Sequence, residues 1–237
     1  MNKIKEFTQS HPYFKVTANL TLWLLLFVIN MEFFFPVGKF SGYGSFIIAF
    51  EFAENIQDIH LLLQTFSIED IQNIDKGNYF DFGFMATYST LLGYLYYKSA
   101  KIFNKKWLLL GIPLAIIIFS SDFIENIILL KITNIYVTNL NESIMDSLLA
   151  KLHVITWVKW GGLAFTFFIF YEVLYRLHWF YRITGLICLL PFLYIIITGE
   201  FSAKEITFFA LSIAASFIVL IVFGLSYKKG SLVSDKH

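Results

Sequence analysis

Three charged residues stand where charge is costly: Asp122 and Glu125 in the run Phe119-Ser-Ser-Asp-Phe-Ile-Glu-Asn126, and Lys159 in Thr156-Trp-Val-Lys-Trp-Gly-Gly162. Both runs are apolar enough to lie inside a bilayer. A charge near the bilayer centre costs several kcal/mol, from about 2.5 to above 10, so it normally faces a partner or a water-filled cavity. Asp122, Glu125 and Asn126 at i, i+3, i+4 share one helix face, and Thr156 and Lys159 share another, with His153 one turn away. One lysine cannot neutralise two carboxylates, so either an acid holds a proton or a cation, an amine or a further base compensates it. Asp122, Glu125 and Lys159 are accordingly the candidates for acid–base chemistry. Asp122 and Glu125 with His153 form a weaker candidate set for a divalent metal through oxygen and imidazole ligands. A purely structural ion pair between two helices is the competing account. The acid surplus argues against it.

The elements that position these residues read as membrane helices. The chain has 237 residues, 57% hydrophobic and 15% charged, with a mean hydropathy of +0.67. Soluble domains carry roughly 25% charged residues, so lipid is the expected solvent. Twenty-eight Phe and thirteen Tyr suit lipid-facing surface and interfacial belts. The net charge of +1 and the absence of a basic run offer no field for nucleic acid. The single cysteine, Cys188, excludes an intrachain disulfide framework and a thiolate metal site. Few Pro and abundant Ile, Asn, Lys and Phe fit an AT-rich bacterial genome.

A spanning helix needs about 20 mainly apolar residues. Six segments qualify: 16–35, 80–97, 107–130, 152–175, 183–199 and 206–227. Pro113 and Pro191 fall inside their segments, where neighbouring helices accommodate kinks. The first segment ends in Glu32-Phe-Phe-Phe-Pro36 rather than a small-residue cleavage site, so it reads as a retained anchor. Lys3, Lys5, Lys15, Lys98, Lys101, Lys105, Lys106, Arg176, Arg182, Lys228, Lys229 and Lys236 gather in the tails and short loops of one side. Lys39, Lys76, Lys131, Lys151 and Lys204 are spread over the longer loops of the other. The basic bias places both termini in the cytoplasm, and an even number of spans agrees. The expected fold is therefore an all-α transmembrane bundle, one integral membrane domain over 1–237, in a bacterial cytoplasmic membrane.

Residues 37–79 form a long outer loop. Ser45–Phe66 has mixed i, i+3, i+4 apolar spacing and predicts an amphipathic helix on, or dipping into, the outer surface. Ser67-Ile-Glu-Asp70 is a capping box that opens a short second helix. Glu51-Phe-Ala-Glu-Asn-Ile56 echoes Asp122-Phe-Ile-Glu-Asn-Ile127, though the flanks do not extend the match.

With this topology, Asp122 lies roughly 12 Å from the outer end of its segment and Lys159 roughly 10 Å from its own, at 1.5 Å per residue. The segments should be antiparallel neighbours, so an ion pair between Lys159 and Asp122 or Glu125 follows. The first segment brings Asn30 and Glu32 to its outer end, and the second brings Asp81, Tyr88 and Ser89. The last two contribute Tyr194, Thr198, Ser212 and Ser216 and read as scaffold, with Ala210/Ala214 and Ser212/Ser216 as close-packing pairs. Glu32, Asp81 and His153 also have ordinary interfacial readings. Glu172 and Arg176 form an i, i+4 pair at the cytoplasmic end. Asn141-Glu-Ser143 matches a glycosylation acceptor but carries no weight in a bacterial chain.

No nucleophile elbow, zinc-protease helix, phosphate loop or Cys-x-x-Cys is present. The set Glu51-Phe-Ala, Phe80-Asp81 with Tyr88, Asp122-x-x-Glu125-Asn126 and Thr156-x-x-Lys159-Trp160 resembles an uncharacterised family of small bacterial multi-pass membrane proteins. The resemblance covers roughly residues 45–162 and implies no activity, only that these residues work together. The leading expectation is an outward-facing intramembrane pocket of Asp81, Tyr88, Asp122, Glu125, Asn126, His153, Thr156 and Lys159 that binds a lipid or other amphiphile, within a larger complex. One alternative is an intramembrane enzyme acting on a lipid or lipid-linked substrate by acid–base or metal-assisted chemistry. Another is a proton- or cation-coupled carrier, which no polar path through the inner half supports. The partners expected are membrane lipids and a membrane protein, with no nucleic acid. No cofactor is specified.

Overall fold

The structure is a computed structural model that describes residues 6–229 except 8, 39, 41, 139–140 and 199–200. All regular structure among the described residues is helical: α1 (Phe14–Phe34), α2 (Phe46–Glu51), α3 (Ile56–Leu63), α4 (Ile68–Ile102), α5 (Gly111–Thr138), α6 (Glu142–Tyr175), α7 (Trp179–Gly185), α8 (Leu190–Ile197) and α9 (Ala203–Ser226). A 3₁₀ turn, Lys106–Leu110, leads into α5, and another, Leu186–Leu189, joins α7 to α8. Phe40 and Tyr43 make an isolated β-bridge.

Local chemistry sets the helix ends. Capping boxes open α3 (Asn55 with Asp58), α4 (Ser67 with Asp70) and α9 (Ser202 with Glu205), satisfying N–H groups that a first turn leaves unpaired. Asn141 caps α6 in the same way, accepting from the Ile144 N–H at 3.2 Å. At the far end of α4, Asn104 takes a left-handed φ of 53°, and Lys105 N–H bonds back to Ala100 O at 3.0 Å. That geometry ends a helix, and asparagine tolerates it better than most residues.

Five stretches are long and apolar enough to cross a membrane: Phe14–Phe34, Lys106–Thr138, Glu142–Tyr175, Trp179–Ile197 and Ala203–Ser226. The remaining expected span, 80–97, lies inside α4. The Ser67 capping box opens this 35-residue helix rather than a separate short one. Glu69, Asp70, Asp75, Lys76 and Asp81 make the first half of α4 polar and lower its hydropathy. Pro113 and Pro191 sit in the first turns of α5 and α8, where a missing N–H leaves no bond unmade.

Contacts along each helix pair give the directions. Tyr13–Ser99, Phe27–Gly83 and Phe34–Phe80 run α1 against α4. Tyr96–Gly111, Tyr88–Asp122 and Asp75–Thr133 run α4 against α5. Ile118–Gly162, Asp122–Lys159 and Glu125–Thr156 run α5 against α6. All three pairs are antiparallel. α9 lies parallel to α6 through Trp160–Phe209, Phe167–Phe217 and Phe170–Phe223, and antiparallel to α1 through Thr17–Gly224. The two ends of the described chain meet, with Lys229 N–H donating to Ser10 O at 2.7 Å.

Two apolar cores result. One joins Tyr13, Met85, Tyr96, Ile118, Leu163, Phe170 and Phe223 around the end that holds both termini. The other packs α2 and α3 (Phe46, Phe50, Ile59, Leu63) onto Ile74, Ile128, Leu129, Met145 and Leu152 at the opposite end. The segment 45–66 is therefore two short helices buried on the bundle, broken at Phe52–Asn55, rather than one continuous amphipathic helix. Between these cores lies a polar layer.

Gly111 is forced by packing: a Cβ there would meet the Tyr96 ring at 2.0–2.4 Å. Tyr96 is wholly buried and donates its hydroxyl to Thr166 O at 2.5 Å, so it cannot swing away. Gly111→Leu should destabilise the bundle by about 1–3 kcal/mol or more through overpacking, whereas Gly161→Ala, with nothing within 4 Å of its Cβ, should not. Thermal unfolding of the two variants in detergent checks the contrast.

Candidate functional site

The polar layer is built from four helices. Lys159 projects from α6 and makes an ion pair with Glu125 of α5. Its Nζ also lies 3.3 Å from Asp122 Oδ1, one turn along α5, and 3.0 Å from Glu51 Oε2 at the end of α2. Thr156, one turn from Lys159, donates its hydroxyl to Glu125 and also stands 3.2 Å from the Glu51 backbone carbonyl. The Trp160 indole N–H donates to Glu51 Oε2 at 3.0 Å, and Lys159 Nζ sits 5.3 Å from the centre of the same ring. From α4, Tyr88 donates its hydroxyl to Asp122 Oδ2. Asp81 Oδ2 accepts from Asn126 Nδ2 at 2.7 Å.

Helix periodicity accounts for the convergence. Asp122, Glu125 and Asn126 occupy the α5 stripe between α4 and α6. Asp81 and Tyr88 lie two turns apart on the α4 face that meets it. Glu51 reaches the layer because α2 ends there: Glu51, Phe52 and Ala53 are all buried, and the chain leaves through exposed Glu54 and Asn55.

The layer is closed. Glu125, Asn126 and Thr156 have no exposed surface, Lys159 is 4% exposed, and Asp81 and Glu51 are each 6% exposed. Aromatic rings complete the enclosure. Phe52 packs at 5.5 Å from Trp157 and 5.8 Å from Trp160, Phe209 at 5.8 Å from Trp160, and Phe217 at 5.4 Å from Tyr88. α9 therefore does more than scaffold the bundle: it walls the site.

Four carboxylates, Glu51, Asp81, Asp122 and Glu125, share this volume with one ammonium. Burial pushes the Glu51 carboxyl above its ordinary range, opposed by the Lys159 charge.

Of the residues singled out from sequence, Asp81, Tyr88, Asp122, Glu125, Asn126, Thr156 and Lys159 are brought together. His153 is not: it is exposed on α6, its ring 6.5 Å from Trp157, and does not join Asp122 and Glu125. Among the described residues no group of three or more His, Cys, Asp or Glu is arranged to hold a metal ion. Glu32 is exposed, and Asn30 bonds its own helix at Leu26 O, 2.7 Å away. Tyr194 stacks on Phe209, and Ser212 and Ser216 bond backbone carbonyls. Glu172 and Arg176 form their exposed i, i+4 pair. Glu51 and Trp160 join the site although the expected pocket did not include them; both stand in the motif set that carries the family resemblance. The signals were an acid inside Phe46-Ile-Ile-Ala-Phe-Glu-Phe-Ala53 and the echo of Asp122-Phe-Ile-Glu, since Glu51 and Asp122 meet the same ammonium.

The described residues form an all-helical bundle, with five stretches long and apolar enough to cross a membrane, around a buried, acid-rich layer. Compared with known protein families, curated proteins and solved structures, the chain matches none of them.

Removing the one base should cost far more than removing one acid. Lys159→Met leaves four buried carboxylates without a counter-charge and should cost about 3–5 kcal/mol. Glu125→Gln leaves Lys159 with Glu51 and Asp122 and should cost less. Adding Glu125→Gln to Lys159→Met should recover part of the loss. Unfolding of the three variants in detergent measures the coupling.

Proposed function

We propose that this is a six-span membrane protein whose acid-rich layer binds the polar end of a lipid or other amphiphile. The observation that carries the reading is the layer's neighbour. A groove of about 300 Å³ runs between α4 and α5, lined by Ala86, Ser89, Gly93, Ala115, Ile116 and Phe119. Ser89 directly follows Tyr88, and Phe119 lies one turn from Asp122. An apolar groove beginning one turn from a charged cluster matches the shape and chemistry of an amphiphile.

Six spans are supported by the alternation of helix directions and by α4, which at about 52 Å is long enough to cross a bilayer. Lys15, Lys98, Lys101, Lys105, Arg176 and Lys228 lie toward the end where the termini meet, so that end belongs in the cytoplasm. α2 and α3 then form the outer cover of the layer, latched by Glu51 on Lys159 and Trp160. The membrane is a bacterial cytoplasmic membrane in this reading.

A second reading rests on one contact set: Tyr88, Asp122 and Lys159 form a continuous chain of proton donors and acceptors. That chain suits acid–base chemistry on the bound amphiphile.

Two measurements test these proposals. A membrane-impermeant maleimide applied to intact spheroplasts should label Glu69→Cys at once and Lys105→Cys only after permeabilisation; the reverse pattern inverts the topology. Mass spectrometry of the purified protein should find a co-purifying amphiphile whose occupancy falls at least about tenfold in Asp122→Asn, and unchanged occupancy would refute binding at the layer.

A further inference from the structure

Within the amphiphile-binding reading, on which this inference rests, the unsatisfied polar atoms of the layer are unevenly distributed. Toward α6 the contacts are denser: Glu125 accepts from Thr156 and Lys159, and Glu51 accepts from Lys159 and Trp160, both through Oε2. Toward α4 they are sparser. Asn126 Oδ1 and Asp122 Oδ1 have no hydrogen-bond donor, although Lys159 Nζ lies within ion-pair distance of the latter at 3.3 Å. Asp81 accepts from Asn126 through Oδ2 and makes no other hydrogen bond among the described residues. Asn126 is wholly buried and Asp122 is 3% exposed. One turn from Asp81, both amide atoms of wholly buried Asn78 are unpartnered, and so is the hydroxyl of Ser89 in the groove. Orphan hydroxyls also occur at Thr17, Thr21 and Thr166, but the carboxylate and amide orphans all lie on this helix pair, and because buried polar atoms are nearly always paired they mark a place for a ligand.

The orphans at Asp122 and Asn126 are both acceptors, and they sit in a layer that holds four carboxyl groups and one ammonium. A ligand that brings hydrogen-bond donors and a positive charge would complete them. A divalent ion would need six or more oxygens, and most oxygens here already have donors. A primary ammonium brings one charge and three N–H donors on a compact head.

We infer that Asp122 Oδ1, Asn126 Oδ1 and Asp81 form a subsite for the primary ammonium headgroup of an amphiphile, whose tail lies along the α4–α5 groove past Ser89. A trimethylated ammonium has the charge but no N–H, and would leave the acceptors unpaired. The site is thus selective by donor count as well as by charge.

The test uses the full chain in phosphatidylcholine nanodiscs, titrated with dodecylamine, dodecyltrimethylammonium or dodecanol and corrected against empty discs. Wild-type protein should bind dodecylamine at least about tenfold more tightly than either analogue. Asp122→Asn and Asn126→Leu should each abolish that preference, while Glu172→Gln, on an exposed pair, should keep it. Should Asp122→Asn fail to fold, Asn126→Leu carries the test alone. Equal affinity for dodecylamine and dodecanol would overturn the ammonium subsite and leave the amphiphile site standing. Preference retained in both variants would place the ammonium elsewhere and also overturn it. Absence of saturable binding by all three probes would overturn the amphiphile reading itself.

Discussion

The buried ammonium of Lys159 is the constraint on which the rest of the fold depends. An isolated charge in a medium without water is prohibitively costly, so it must be met by carboxylates and the remaining lone pairs by donors. Lys159 meets Glu125 and Asp122 from α5 and Glu51 from α2. Those contacts set the register of α5 against α6, and they draw a connecting segment inward. Glu51 and the Thr156 hydroxyl on its backbone carbonyl bring α2 down onto the bundle. The second apolar core, in which Phe46, Phe50, Ile59 and Leu63 pack on Ile128, Leu129 and Leu152, forms above that anchor. The polar layer thus divides the interior into two apolar parts and ties them together.

The layer is lopsided in a way a structural staple would not require. A staple needs one acid for one base with every lone pair satisfied. Here Lys159 faces three acids, Glu125, Asp122 and Glu51, and the α4–α5 side carries Asp81 and the unpaired Oδ1 atoms of Asn126 and Asp122. A groove lined by Ser89, Gly93 and Ala115 lies along the same helix pair. Aromatic walls from Phe52, Trp160, Phe209 and Phe217 exclude water and so strengthen each interaction inside.

Much of this layer could be read from the chain because long helices have a fixed pitch. Asp122 and Glu125 break an apolar run, as Lys159 does, and counting residues from the shared loop puts them level; the contacts Asp122–Lys159 and Glu125–Thr156 are the antiparallel register such a count implies. Asp81 and Tyr88 could be placed beside them by spacing alone. Glu51 could not, because the path of the chain through 35–67 depends on tertiary packing rather than on local periodicity. For the same reason the segment around Ser45–Phe66 shows helical spacing yet breaks at Phe52, where the backbone turns to deliver Glu51. His153 shares the stripe of Thr156 in sequence, but one turn nearer the loop that stripe has already rotated out to the surface. The continuity of α4 was masked by its acids, which lower the hydropathy of a helix that never breaks.

In the proposed reading the headgroup of a bound amphiphile matches the surplus of acids between α4 and α5. A density map of the protein purified in its native membrane lipid should then show a compact, non-protein feature within hydrogen-bonding distance of Asp122 Oδ1 and Asn126 Oδ1, continuous with elongated density past Ser89 in the α4–α5 groove. A seam in which Asp122 and Asn126 close on one another or on ordered water alone, with no elongated density beside Ser89, would contradict it.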